Sequence, residues 1–111
     1  MPPNPTPQEQ MTPGKTTFTD EMLDSAREEL ELRRPGISRQ IIGMVEMPHG
    51  APGKSDLRNK QEAEIGSALR ELPAFKPYAQ DQVLWLNFIS NVIRVIHRNS
   101  DEYRRRWLED R

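Results

Sequence analysis

Residues Val83–Ile96 read VLWLNFISNVIRVI, and ten of these fourteen side chains are large and apolar. At about 100° per residue, Asn87, Asn91, Arg94 and Arg98 fall on one narrow polar stripe. Tyr78, Trp85, Ile89, Val92 and Ile96 run along one edge of the remaining arc, and Leu84, Phe88 and Val95 along another. A surface helix needs an apolar stripe of only about 100°. The arc here is roughly twice that, so the helix needs cover on more than one side. A membrane span would require about 18–20 apolar residues. This run is shorter and contains Arg94. A buried strand is excluded by the length of the run and its lack of a period of two.

The helical phase continues past Ile96, because Tyr103 and Trp107 lie on the same edge as Ile89 and Ile96. Asn99-Ser100 is a candidate break, with Ser100 as cap and Asp101 and Glu102 in a new first turn. The preserved phase favours one long helix instead. Starting at Pro77, a residue suited to the first helical position, and running to Leu108, it would be about 48 Å long.

Upstream, Pro73–Lys76 is a short connector. Ser55 is expected to cap a helix over residues 56–72, with Leu57, Ile65, Ala68, Leu69 and Leu72 facing inward. Residues 48–54, PHGAPGK, are a loop by composition. In residues 37–47, Ile37, Ile41, Met44 and Val45 repeat at helical spacing, although IIGMVEM is also a β-branched run. A short helix is favoured, since no partner strand is visible elsewhere. Residues 19–34 form a punctuated helix. Thr19 is the N-cap, Asp20 and Glu21 suit the positive end, and Phe18 and Leu23 are placed for a hydrophobic staple. Met22, Leu23, Ala26 and Leu30 give it a narrow apolar face, and Pro35-Gly36 ends it. Residues 1–17, with five prolines, read as a disordered tail rather than a ligand for a proline-binding domain. Residues 18–111 then form a single helical domain.

The chain has 111 residues, a net charge of −1 and no cysteine. Near-neutral charge offers no global field for nucleic acid or an anionic membrane. Without cysteine there are no disulfides, zinc thiolate sites or cysteine nucleophiles. The first residues lack a basic-then-apolar signal pattern, so a soluble cytoplasmic protein is expected.

Four constellations invite chemistry. Gly53-Lys54-Ser55 matches the end of a phosphate-binding GxxxxGK[ST] loop. Pro48 stands where the first glycine is required, Pro52 removes an amide donor, and no strands supply the usual parallel sheet. A flexible loop followed by a helix cap accounts for the same residues. His49 and His97 lie on different elements, and neither has a second ligand at a metal-binding spacing. Asp20, Asp24, Glu28 and Glu31 share one face of the first helix and read as a solvated acidic surface. Arg94, Arg98 and Arg105, with Tyr103 and Trp107, could grip phosphates and stack bases. Yet Asp101–Arg105 and Glu102–Arg106 are i,i+4 pairs in the favourable order, and they neutralise part of that patch.

The expected fold is therefore all-α: a small helical bundle built on a long C-terminal helix. The expected function is that of a non-enzymatic interaction protein without cofactor or metal, a small subunit or regulator of a larger assembly. Arg94, Arg98, Arg105, Tyr103 and Trp107 are the candidate partner-binding residues. Trp85, Ile89, Val92 and Ile96 approximate a three-and-four spacing that suits a self-association seam. The alternative is a nucleic-acid-binding accessory protein that uses the arginine face.

Overall fold

In the computed structural model, which describes residues 18–109, every regular element is helical. They are α1 (Asp20–Arg33), α2 (Ile37–Val45), α3 (Lys54–Leu69), a 3-10 turn (Lys76–Gln80), α4 (Gln82–Arg98) and α5 (Ser100–Glu109). The tail expected over residues 1–17 lies outside the described residues. Among the described residues no helix is long and apolar enough to cross a membrane.

The wide apolar arc of α4 is covered within the chain. α4 packs against α1, α2, α3, the 3-10 turn and α5. Trp85, Phe88, Ile89, Val92, Ile93, Val95 and Ile96 are all buried. Phe88 is the hub, with ring centroids 5.3 Å from Phe18, Phe75 and Trp85 and 5.8 Å from Tyr78. Phe18 thus anchors the entry to α1 on the Tyr78 and Phe88 rings, besides preceding the cap. Thr19 Oγ1 accepts a hydrogen bond from Met22 N at 3.1 Å, as the cap reading requires. Leu23, Ala26 and Leu30 form the buried face of α1, with Met22 partly buried beside them.

Residues 37–45 are a helix, with Ile37, Ile41, Ile42 and Met44 buried. Gly36 precedes it at φ 90°, a left-handed conformation that leaves the helix without a side-chain cap of its own. Glu31 fills that role from α1. Its Oε2 accepts from Gly36 N at 2.6 Å and its Oε1 from Ser38 N at 3.1 Å. A carboxylate at a helix N-terminus satisfies orphan amides and the positive helix end together. We expect Glu31→Ala to cost about 1 kcal/mol, read as a lower midpoint in urea denaturation. An unchanged midpoint would remove Glu31 as the cap.

Three expectations are corrected at α3. The helix starts at Lys54 after Gly53 at φ 82°, and Ser55 does not cap it. It ends at Leu69, and Leu57 is 36% exposed rather than part of the inner face. Gln61 and Gly66 take inward positions instead, and Gln61 Nε2 donates to Gln40 O on α2 at 3.1 Å.

The long C-terminal helix is also corrected: it is two helices. α4 begins at Gln82, capped by Asp81, whose Oδ1 accepts from Leu84 N at 3.0 Å. Pro77 belongs to the preceding 3-10 turn. α4 ends at Arg98, and its C-cap Asn99 (φ −99°, ψ 20°) donates to Val95 O from both its backbone N, at 3.1 Å, and its Nδ2, at 2.8 Å. The break turns α5 onto the bundle through a buried Tyr103.

Candidate functional site

A groove of about 780 Å³ lies between α3, the 3-10 turn and the start of α4. Trp85 and Ile89 lie at its base, while Ala63, Gly66 and Ser67 form the α3 wall. Gly66 sets how closely the helices approach: a Cβ there would lie 3.2 Å from Trp85 Nε1. Leu86 stands on the α4 rim at 46% exposure, and Val83, one turn earlier, is 59% exposed. Arg70 sits with its guanidinium 6.0 Å from the Trp85 ring centroid. Glu71 is beside it on the groove wall. Neither Arg70 nor Glu71 forms an ion pair among the described residues, whereas Glu62 is bonded to Arg58 at 3.1 Å.

The seam residues Trp85, Ile89, Val92 and Ile96 are between 0 and 4% exposed. Their surface is spent on the chain's own α1, α2 and α3, leaving the outer α4 rim as the free apolar surface. Val83 and Leu86 are not singled out by the sequence reading. On the helical wheel Val83 falls beside the polar stripe, while Leu86 falls at the edge of the wide apolar arc next to Ile93, so periodicity alone counts Leu86 with the core.

Each arginine of the group has its own setting among the described residues. Arg94 is exposed and donates to Asn91 Oδ1. Arg98 reaches Asp20 of α1 at 3.5 Å. Arg105 is exposed on α5 and has no ion pair among the described residues. Asp101 instead faces Arg104 at 3.8 Å, and Glu102 pairs with Arg106 at 3.0 Å as its spacing predicts. The two aromatic members face inward. Tyr103 is 4% exposed, and its hydroxyl accepts from Arg27 Nη1 at 3.0 Å. Trp107 is partly buried, stacks on Tyr103 at 6.2 Å and lies under Arg39 at 5.2 Å. A buried tyrosine cannot serve as a platform for a base, so Arg94, Arg98 and Arg105 are not backed by exposed aromatic rings.

Among the described residues Arg27 is the one charged residue that is buried, at 8% exposure. Burial disfavours its charge, but hydrogen bonds to Tyr103 and to Asp24 (2.9 Å) outweigh that and raise its pKa above the ordinary arginine value. The acidic face of α1 is likewise engaged: Asp20 with Arg98, Asp24 with Arg27, and Glu31 as the cap of α2. Only Glu28 of the four lacks a side-chain bond among the described residues.

Glu46, just past α2, joins that helix to both α4 and α5. It forms an ion pair with Arg104 and lies 3.5 Å from His97 Nε2. The hydrogen bond from Arg104 holds its carboxyl below the ordinary glutamate value, with a smaller contribution from His97. A depressed carboxylate pKa means the unfolded chain takes up protons first. The clamp is therefore complete above the ordinary glutamate value and is lost as pH falls through the folded one. Carbon-13 carboxyl titration should give Glu46 a depressed midpoint that Arg104→Gln returns toward the ordinary range. An unperturbed midpoint in the native chain would contradict the pairing.

The phosphate-like loop is built for a different purpose. Lys54 Nζ donates to Met47 O at 2.8 Å and Val45 O at 3.4 Å, closing the C-terminal end of α2. A lysine here favours the negative helix end and satisfies its free carbonyls. His49 is exposed in the same loop. Among the described residues no three His, Asp or Glu side chains gather as a metal site. No family model, curated protein or solved structure matches this chain.

Proposed function

We propose that this chain is a non-enzymatic helical interaction protein, a small subunit or regulator that docks on a protein partner through the α3–α4 groove. One observation carries this reading: seven apolar residues of α4 are buried, yet Leu86 remains exposed on the lining of the groove and Val83 is exposed one turn before it. Single exposed apolar residues are ordinary. Two on one helical turn, next to a groove lined by a tryptophan, make a local apolar surface able to pack against a partner's side chains. The perturbed ionisable groups Arg27, Glu46 and Arg104 all have structural partners, and none lines the groove.

A photo-crosslinking amino acid in place of Leu86, introduced in the native cell, tests the reading. It should give a discrete adduct with one protein. The same group in place of Leu32, 75% exposed on α1, should not. Equal, diffuse labelling at both positions would count against the groove.

The second reading, nucleic-acid binding, has the exposed and ion-pair-free Arg94 and Arg105 in its favour among the described residues. It requires an affinity that falls steeply with salt, by about one slope unit per phosphate contact. We expect only weak, sequence-independent oligonucleotide binding in fluorescence anisotropy at about 150 mM salt. Submicromolar, salt-sensitive binding abolished by Arg94→Glu with Arg98→Glu would promote this reading over the first.

A further inference from the structure

We propose that the occupant of the α3–α4 groove is a second copy of this chain, in a two-fold symmetric pair. The proposal rests on the docking reading above and names its partner. A two-fold contact uses the same patch on both copies, so the patch must complement itself in shape and in charge. The shape requirement is met by Leu86, which is exposed on the groove lining, with the exposed Val83 one turn before it. The small side chains of Ala63 and Ser67, on the opposite wall, leave room to receive Leu86. Leu86 of each copy then inserts into the groove of the other, and the two insertions are equivalent.

The charges satisfy the second requirement. Arg70 and Glu71 lie on the groove wall, exposed, and without ion pairs among the described residues. A patch bearing one unpaired charge of each sign can pair with its own copy twice, Arg70 to Glu71 and Glu71 to Arg70. A patch of single sign would repel its copy. The chain's net charge of −1 adds little long-range repulsion between copies.

Light scattering on the full chain from about 1 to 100 µM, the span over which a modest interface assembles, should show the mass rising toward twice that of one chain. Leu86→Glu should raise the dissociation constant at least about tenfold, as expected for a central anchor replaced by a charge. Ser67→Arg, which fills the groove from the other wall, should act in the same direction. Arg70→Glu should also weaken the pair, and adding Glu71→Arg should restore it, an outcome that loss of folding cannot imitate. Monomer at every concentration overturns the proposal. So does a dimer indifferent to Leu86→Glu and Ser67→Arg, since its contact lies elsewhere. The two readings fail differently. A purified monomer with a discrete Leu86 adduct to another protein in the cell ends the pair and keeps the docking site. A monomer with no discrete adduct ends both.

Discussion

Phe88→Ala should remove a large fraction of the protein's stability. The ring is fully buried and packs on four other aromatic rings contributed by α4, the 3-10 turn and the segments around them. Truncating such a residue costs about 3–5 kcal/mol, from lost transfer energy and the cavity left behind. A domain of this size has only about 5–15 kcal/mol in total. Small shifts elsewhere cannot refill the space, because Phe18, Phe75, Tyr78 and Trp85 sit on separate segments. Urea denaturation followed by circular dichroism should show a transition moved to very low denaturant. Leu32→Ala, at an exposed site, should stay within about 0.5 kcal/mol of the parent. A Phe88→Ala midpoint close to that control would mean that the aromatic cluster is not the centre of the fold.

Tyr103→Ala should release α5 before the rest of the bundle. Tyr103 is the buried residue of that helix, and it stacks with Trp107. It also supplies the hydroxyl that accepts from Arg27. Its removal leaves a cavity and a buried guanidinium held only by Asp24. An aromatic truncation of this kind costs about 3–5 kcal/mol, and removing a partner of a buried charge adds to it. Tyr103→Phe isolates the second part, with an expected cost of about 1–3 kcal/mol. Hydrogen exchange should then show fast amides over Ser100–Glu109 with α1–α4 still protected. Retained protection of α5 in Tyr103→Ala would show that the Glu46–Arg104 clamp and the Arg39–Trp107 contact hold it unaided.

Much of this architecture is legible in the sequence because it follows from local rules. The cap at Thr19, the stop at Pro35-Gly36 and the inward face of α1 each depend on a few neighbouring residues. The wide apolar arc of α4 correctly demands cover on several sides. What it leaves open is who provides the cover. Periodicity marks Trp85, Ile89, Val92 and Ile96 as a seam but does not distinguish the chain's own helices from a second copy. The break at Asn99 is hidden for a related reason. A single non-helical residue preserves the phase, so Tyr103 and Trp107 stay in register while α5 turns. Only the contacts with Arg27 and Arg39, some seventy residues away in sequence, decide the bend. Glu31 as a cap and Lys54 as a closure of α2 are equally hidden. Each works across a turn or loop on the backbone of another element.

The candidate site follows the same division. Charge alone marks the arginines, but not their setting. Arg98 is drawn to Asp20 on α1, and Tyr103 turns into the core. The groove is not marked by periodicity, because Leu86 stands at the edge of the apolar arc beside the buried Ile93.

One chain covers its own α4 and leaves Val83 and Leu86 exposed. Hydrogen exchange of the Trp85–Ile96 amides across a dilution series tests this most directly. The expected result is uniformly high protection that persists at concentrations where light scattering shows only monomer, with dilution altering exchange around the groove alone. Protection along α4 that collapses on dilution would contradict it, because the cover of the core would then come from a second chain.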